Sequence, residues 1–194
     1  LAGRRLGARA GGELLVIGSG VQARAHVEAF ASLLGVTKVR ITSRDPDHAR
    51  RLVDHARSLG LQAELAGDIA AALAVSPLVV TATTAHAPVM PDEVRGDAFV
   101  AAVGAYRPDM CELPSSLIRR AAVFVDDLAG AGHEAGDLLQ AGLDFRLVGA
   151  LEAVAPDAPH PRPGSPVVFK SVGQALWDLA AARLAWTVRT PAGA

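Results

Sequence analysis

The sequence predicts an α/β protein with a doubly wound, mainly parallel sheet. Three observations lead to this class. Short apolar segments alternate with segments of helical periodicity over residues 13–126. A glycine-rich turn, Gly18-Ser19-Gly20, joins the first apolar segment to the first helical one. Hydrophobic residues make up 51% of the 194 residues and charged residues 20%, which is enough to bury both faces of a sheet.

The predicted strands are short apolar runs bounded by turn residues. The first, 13–17, is apolar from Leu14 onward and stops at Gly18, as expected of a strand that is buried on both faces. The others follow at 38–42, 61–65, 78–83, 98–103 and 123–126. Strands that alternate with helices need right-handed crossovers, and therefore predict a parallel sheet.

Helices are predicted between these strands, at 21–34, 45–58, 68–75 and 115–120. Asp45 followed by Pro46 is a typical helix start, with Asp as the N-cap and Pro at the first helical position. Beyond Gly149 the alternation ends. Five prolines between 156 and 166 predict a surface loop, and a strand over 167–169 and a helix over 172–188 follow it. The last helix carries an apolar stripe, formed by Ala175, Leu176, Leu179, Ala182 and Trp186.

Composition argues against several classes of function. The formal net charge is −1, aromatic residues make up 4%, and no Lys/Arg block occurs, so nucleic-acid binding is not expected. Cys111 is the single cysteine, and no histidine shows the spacing of a metal site. With no leader and no apolar run of bilayer length, we expect a cytoplasmic protein without membrane contact. The start at Leu1 leads us to expect a segment of a longer protein.

The turn after the first strand predicts a Rossmann-type domain that binds the pyrophosphate of a nicotinamide dinucleotide. Gly18 permits the tight turn, Gly20 lets the backbone approach the phosphates, and the small Ala23 lets the helix pack on the strand. Val21 and Gln22 lie in the first turn of that helix, where N–H groups and the helix dipole favour an anion. The alternative is a tight turn without a ligand, which the strand–turn–helix context disfavours.

The end of the second predicted strand, Ile41-Thr42-Ser43-Arg44, indicates the type of cofactor. NAD-dependent enzymes usually place Asp or Glu here to accept from the ribose 2′-hydroxyl, and this strand end has neither. Arg44 can bind a 2′-phosphate through two N–H groups, with Ser43 beside it, so NADP(H) is favoured over NAD(H). Two alternatives stay open: Arg44 is a solvated surface residue, or Asp45 binds the hydroxyl instead of capping the next helix.

Small and polar residues end the fourth and fifth predicted strands. Thr83 and Thr84 follow one of them, and Val103 and Gly104 follow the other. Because ligands bind outside the carboxyl ends of parallel strands, we expect these four residues to contact the cofactor near its nicotinamide. The alternative is ordinary strand ends, where threonine and glycine are common.

Five segments resemble, in order and along nearly the whole chain, the ornithine cyclodeaminase/mu-crystallin family. They are Gly-Ser-Gly-Val-Gln-Ala-Arg at 18–24, Val-Val-Thr-Ala-Thr-Thr at 79–84, Ala-Val-Gly-Ala-Tyr-Arg-Pro-Asp at 102–109, Glu-Ala-Gly-Asp at 134–137 and Val-Phe-Lys-Ser-Val-Gly at 168–173. The Gln-Ala pair after the glycine turn and the Phe-Lys-Ser-Val-Gly element are fairly specific to this family.

The resemblance implies a homodimer of two-domain subunits. In the family an N-terminal domain supplies dimer contacts and the Arg and Lys that hold the substrate carboxylate, and this domain would lie outside the chain. We therefore expect 1–194 to form the dinucleotide-binding domain, with 167–188 a terminal strand and helix that pack toward the N-terminal domain. Part of the apolar stripe should then be exposed, and the chain alone should bind dinucleotide without turnover.

Tyr106 marks a departure from part of the family. Cyclodeaminases and alanine dehydrogenases of this kind have an Asp there that acts on the substrate, so its loss argues against deamination. We place Tyr106 on the substrate side without assigning it a catalytic role. The following Arg107-Pro108-Asp109 is similar to the reductase and mu-crystallin branch, whereas Cys111 replaces the usual Arg before Glu-Leu.

The resemblance thus implies an NAD(P)H-dependent reductase of a cyclic imino acid, of the pyrroline- or piperideine-2-carboxylate type. One alternative is an ornithine cyclodeaminase, which converts ornithine to proline and ammonia. An alternative of another class is a non-catalytic protein that binds a small ligand, as mu-crystallin binds thyroid hormone.

Overall fold

The computed structural model describes residues 1–154 and 162–189. Within these ranges the strands are β1 (Glu13–Ile17), β2 (Lys38–Thr42), β3 (Gln62–Leu65), β4 (Leu78–Thr81), β5 (Phe99–Ala102), β6 (Ala122–Val125), β7 (Gly149–Ala150) and β8 (Val167–Lys170). They form one sheet in the order β3-β2-β1-β4-β5-β8-β6-β7. Every neighbouring pair is parallel, which confirms the predicted doubly wound class.

Helices cover both faces of this sheet. They are α1 (Ala2–Arg5), α2 (Val21–Leu34), α3 (Pro46–Ser58), α4 (Ile69–Val75), α5 (Ser115–Arg120), α6 (Leu128–Glu134), α7 (Gly136–Gln140) and α8 (Ala175–Arg189). Two short 3₁₀ turns lie at Phe145–Leu147 and Leu151–Ala153.

Alternate residues of the inner strands enter different halves of the core. On β1, Leu14 and Val16 pack in a cluster with α2 and α3, whereas Leu15 and Ile17 pack in a second cluster with α4 and α5. Because both faces of β1, β4, β5 and β8 are buried, these strands are nearly continuous apolar runs, whereas β2 alternates and buries one face only. This double burial made the strands recognisable in the sequence.

Local polar contacts set the helix boundaries. Asp45 caps α3, since its carboxylate accepts hydrogen bonds from Asp47 N at 2.9 Å and His48 N at 3.0 Å. Asp68 caps α4 in the same way, accepting from Ala70 N at 2.9 Å. Glycine in the left-handed conformation, Gly35 with φ of 66°, ends α2. The predicted helices at 21–34, 45–58 and 68–75 are confirmed to within a residue.

Three predicted boundaries were wrong. The fourth strand ends at Thr81 and not at 83, because Thr83 N donates to the carboxylate of Glu112 at 2.6 Å. The fifth strand likewise ends at Ala102, before the residues that Glu112 also binds. The last helix begins at Ala175 and not at 172, because the preceding loop is bound to the carboxylate of Asp126.

Short elements escaped the sequence pattern. These are α1, α6, α7 and β7, which have between two and seven residues and were not predicted. The predicted proline loop over 156–166 lies largely outside the described residues.

The last strand of the chain lies inside the sheet. β8 pairs with β5 on one side and with β6 on the other, so that Lys170 is adjacent to Ala102 and Val125. This position buries Lys170 completely, with Nζ 3.0 Å from Oδ2 of Asp137 on α7. The two groups form an ion pair without the angles of a directed hydrogen bond, so their attraction is mainly coulombic.

The terminal helix α8 packs against little of the described chain. All five residues of the predicted stripe are exposed, with Leu176 at 68%, Leu179 at 56% and Trp186 at 73% exposure. The expectation that part of this stripe faces solvent is confirmed. No helix of the described residues is long and apolar enough to cross a membrane.

Replacing Lys170 with methionine should lower the free energy of unfolding by about 3–5 kcal/mol, because the Asp137 carboxylate then stays buried without its counter-charge. Adding Asp137→Asn to the Lys170→Met chain removes that charge and should restore part of the loss. Urea unfolding followed by circular dichroism measures both effects. A Lys170→Met variant as stable as the wild type would contradict the importance of the pair.

Candidate functional site

A cleft of about 540 Å³ opens at the carboxyl ends of β1, β2 and β4. It lies between β1 and β4, where the order of the strands reverses and where doubly wound sheets bind their ligands. Six of the predicted site residues line it: Gly18, Gly20, Ser43, Arg44, Thr83 and Thr84.

The two glycines of the turn serve different purposes. Gly18 has φ of 119°, and a Cβ at this position would collide with the carbonyl oxygen of Ala82, so the fold itself requires glycine. Gly20 has an ordinary φ of −81°, and no atom lies within 4 Å of where its Cβ would be. The protein therefore has no steric need for glycine at Gly20, and the open space there is available to a ligand.

The N-terminus of α2 faces this open space. Gly20 is the N-cap residue, and no side chain caps the helix. The first N–H groups of α2 are therefore left to water or to a bound anion. Ala23 is completely buried one turn along, which allows α2 to pack close to the sheet as predicted.

The end of the cleft next to β2 contains Ser43, Arg44 and Asp45. The Ser19 hydroxyl donates to the Ser43 hydroxyl at 2.8 Å and so ties the glycine turn to the end of β2. Within residues 1–154 and 162–189, Arg44 has neither a hydrogen bond nor an ion pair. Asp45 also borders the cleft, but its Oδ1 binds the N–H groups of α3, which weakens the alternative that it serves a ribose hydroxyl.

Beyond the cleft, the ends of β4 and β5 are bound to one buried carboxylate. Glu112 Oε1 accepts from Thr83 N at 2.6 Å and from Thr83 Oγ1 at 2.8 Å. Its Oε2 accepts from Thr81 Oγ1 at 2.9 Å, Gly104 N at 2.8 Å and Ala105 N at 3.3 Å. Sequence analysis missed this role of Glu112, although an acidic residue within an otherwise apolar stretch is a usable signal.

A second buried carboxylate holds the segment that carries Glu112. Asp137 Oδ1 accepts from Glu112 N at 2.6 Å and from Leu113 N at 2.8 Å, while Oδ2 faces Lys170. Burial, followed by the nearby charge of Asp137, raises the pKa of the Cys111 thiol to about 11. Cys111 therefore stays protonated and donates to the Leu113 carbonyl at 3.3 Å.

The other predicted site residues lie outside the main cleft. Val21 is on a shallow groove between α2 and α3. Gln22 and Val103 line a separate groove of about 380 Å³ near α1, β8 and the start of α8. Gly104 uses its N–H to bind Glu112, and Tyr106 is 53% exposed beyond β5. In the described part of the chain, no cluster of three or more His, Cys, Asp or Glu side chains could hold a metal.

Known proteins resemble this chain along most of its length. The profile of the ornithine cyclodeaminase/mu-crystallin family matches residues 1–189. The chain belongs to this family. Delta(1)-pyrroline-2-carboxylate reductase 1 of Burkholderia multivorans is 41% identical over 174 residues, which are 89% of this chain and 55% of that protein. Ketimine reductase mu-crystallin of Mus musculus is 32% identical, with 89% of this chain and 54% of that protein covered.

A solved structure supports the same relationship. The Delta(1)-pyrroline-2-carboxylate reductase of Thermococcus litoralis, in complex with NADH and L-proline, superposes with a TM-score of 0.87 at 27% identity. The match covers 95% of this chain and 60% of that one. The chain spans about half the length of the curated relatives it matches.

The geometry accounts for two of the family segments. In Phe-Lys-Ser-Val-Gly, Lys170 pairs with Asp137, and Ser171 Oγ donates to Asp126 at 2.6 Å. In Glu-Ala-Gly-Asp, Gly136 leaves room for the backbone of Met110, which a Cβ would strike. Both segments therefore stabilise the loops at the carboxyl ends of the strands, and neither segment lines the cleft.

Replacing Gly20 with valine should abolish binding of NADH and NADPH while the fold stays intact. The side chain would fill the space next to the α2 N-terminus but meets no protein atom, so the free energy of unfolding should fall by only about 1 kcal/mol, the cost of valine at an N-cap position. Calorimetry and circular dichroism measure the two effects. Gly132→Val on α6 is the matched control, because its added side chain also starts in open space. Unchanged affinity in Gly20→Val would show that the turn binds no dinucleotide.

Proposed function

We propose that this chain binds a nicotinamide dinucleotide in the cleft and belongs to a reductase of cyclic imino acids, of the pyrroline- or piperideine-2-carboxylate type. The open cradle at Gly20, next to an uncapped helix N-terminus, is the observation that carries the proposal. Reductases with this activity in their names are 38–41% identical to the chain, which supports it.

Each end of the cleft has a separate task in this proposal. The N–H groups at the start of α2 hold the pyrophosphate, and Ser43 and Arg44 bind the adenosine ribose and its 2′-phosphate. The turns after β4 and β5, with Thr83, Thr84 and Gly104, bound the space for the nicotinamide. When bound there, a reduced nicotinamide would supply a hydride to the imine carbon of the protonated substrate, which gives the amine and the oxidised nicotinamide.

Reduction is favoured over deamination by the residue after β5. Tyr106 is exposed and has no carboxylate to act on a substrate, whereas the resemblance places an Asp there in the cyclodeaminases. A lysine cyclodeaminase structure nevertheless superposes well, with a TM-score of 0.84 and 31% identity. Cyclodeamination is therefore the second candidate. We further propose that the whole protein is a homodimer, as the resemblance implies, and that it lies in the cytoplasm.

The activity can be assigned by expressing the open reading frame that contains this chain. We expect loss of NADPH absorbance on addition of Δ1-pyrroline-2-carboxylate or Δ1-piperideine-2-carboxylate, and no ammonia from ornithine. The 194-residue chain, assayed in parallel, should bind the dinucleotide. Ammonia released from ornithine would instead support the cyclodeaminase. Binding without turnover of any of these compounds would support a non-catalytic ligand-binding protein.

Arg44 should make the cleft prefer NADPH over NADH by about tenfold to a hundredfold. Its guanidinium is free of other partners in the described residues and can bind a 2′-phosphate, although solvent weakens the interaction. Arg44→Ala should lose affinity for NADPH and keep its affinity for NADH, as measured by calorimetry. Arg50→Ala removes the same charge outside the cleft and is the control. Equal loss for both cofactors, or a wild type that prefers NADH, would contradict the assignment.

A further inference from the structure

Glu112 contacts the cleft only indirectly. Its side chain is fully buried and is absent from the cleft lining, yet its carboxylate accepts five hydrogen bonds from the ends of β4 and β5. A carboxylate leaves water only where donors replace its hydration, and those donors here come from two separate turns. Glu112 therefore fixes the distance between the turn at Thr83 and the turn at Gly104.

The turns at Thr83 and Gly104 are already as close together as their backbones allow. A Cβ on Gly104 would collide with the backbone of Thr83 and with the Glu112 carboxylate itself. The backbones of the two turns are consequently in contact. The Glu112 carboxylate accepts hydrogen bonds from both turns and so influences their relative position. We therefore expect a change in the hydrogen-bonding of Glu112 to displace one of the turns beyond the last β4–β5 hydrogen bond, from Val103 N to the Thr81 carbonyl.

The adenosine end of the cleft is held by different contacts. The Ser19 and Ser43 hydroxyls are 2.8 Å apart, and Gly18 N donates to the Thr42 carbonyl at 2.8 Å. Neither contact involves Glu112. The two ends of the cleft can therefore be disturbed independently.

The position of Glu112 is itself fixed by two further buried residues. Asp137 binds the backbone N–H groups of Glu112 and Leu113, and Lys170 holds Asp137 through the buried ion pair. Lys170 is the last residue of β8, and pairing with β5 and β6 fixes the position of that strand. The carboxylate of Glu112 is thus held by a series of contacts that ends on a strand of the sheet.

We propose that Glu112 is a positioning residue for the nicotinamide end of the cleft, acting through the turns after β4 and β5. The inference rests on the proposed dinucleotide binding and adds a residue that touches neither cofactor nor substrate. It predicts that disturbing Glu112 weakens contacts to the nicotinamide and spares those to the adenosine diphosphate part.

The test compares two probes on the 194-residue chain: NADPH, and 2′-phospho-ADP-ribose, which lacks the nicotinamide. Glu112→Gln keeps the shape but replaces an acceptor with a donor among N–H groups. We expect affinity for NADPH to fall by about tenfold or more and affinity for 2′-phospho-ADP-ribose to change by less than about twofold. The fluorescence of the reduced nicotinamide on binding should also shift toward that of free NADPH. Glu13→Gln, at the amino end of β1 and so at the end of the strand away from the cleft, is the matched control and should leave both affinities unchanged.

Thr81→Val provides a milder second variant. It removes one hydrogen bond to Glu112 from a buried residue that does not line the cleft, and it should cause a smaller loss in the same selective pattern. This variant decides the question if Glu112→Gln does not fold. Equal weakening of both probes, or unchanged binding of NADPH, would overturn the positioning role. A wild-type chain that binds neither these probes nor NADH and ADP-ribose would overturn the proposed function, and this inference with it.

Discussion

The buried carboxylate of Glu112 is the interaction on which the turns after β4 and β5 depend. Five hydrogen bonds from the ends of β4 and β5 converge on it and replace the water that it gave up on folding. The glycine turn after β1 packs in turn against Ala82, between these strand ends. The turns after β4 and β5 therefore share one support, which is a charge that does not itself line the cleft, whereas the glycine turn is also held to the end of β2 by Ser19 and Gly18.

Most of the fold follows from local rules. Strands buried on both faces are continuous apolar runs, and aspartate caps such as Asp45 and Asp68 mark helix starts, so both were recognisable in the sequence. The position of β8 within the sheet, between β5 and β6, could not be recognised in the sequence. Nothing in 167–170 distinguishes a neighbour of β5 from an edge strand, because the choice depends on packing between distant parts of the chain. The short helix α7 was not predicted either, because its five residues give little more than one helical turn in which an apolar period could be recognised.

The candidate site likewise contains features that could be predicted from the sequence and features that could not. The glycine turn was predictable because its requirements are steric and lie within six residues, Gly18 to Ala23. The role of Glu112 was not predictable, because three of its five partners are backbone N–H groups, which nearly every residue carries. Asp137 was hidden for the same reason, since its Oδ1 binds only backbone. Family resemblance located the segments but not their contacts.

The interior place of β8 also has a consequence for synthesis on the ribosome. β5 and β6 are translated well before residues 167–170, yet they join the same sheet only through β8. Until that last strand emerges, the nascent chain presents two unpaired strand edges, and its central pairing is of high contact order. Completion of this domain is therefore a late, non-local event, and the partly made chain is the form most exposed to aggregation and most in need of a chaperone.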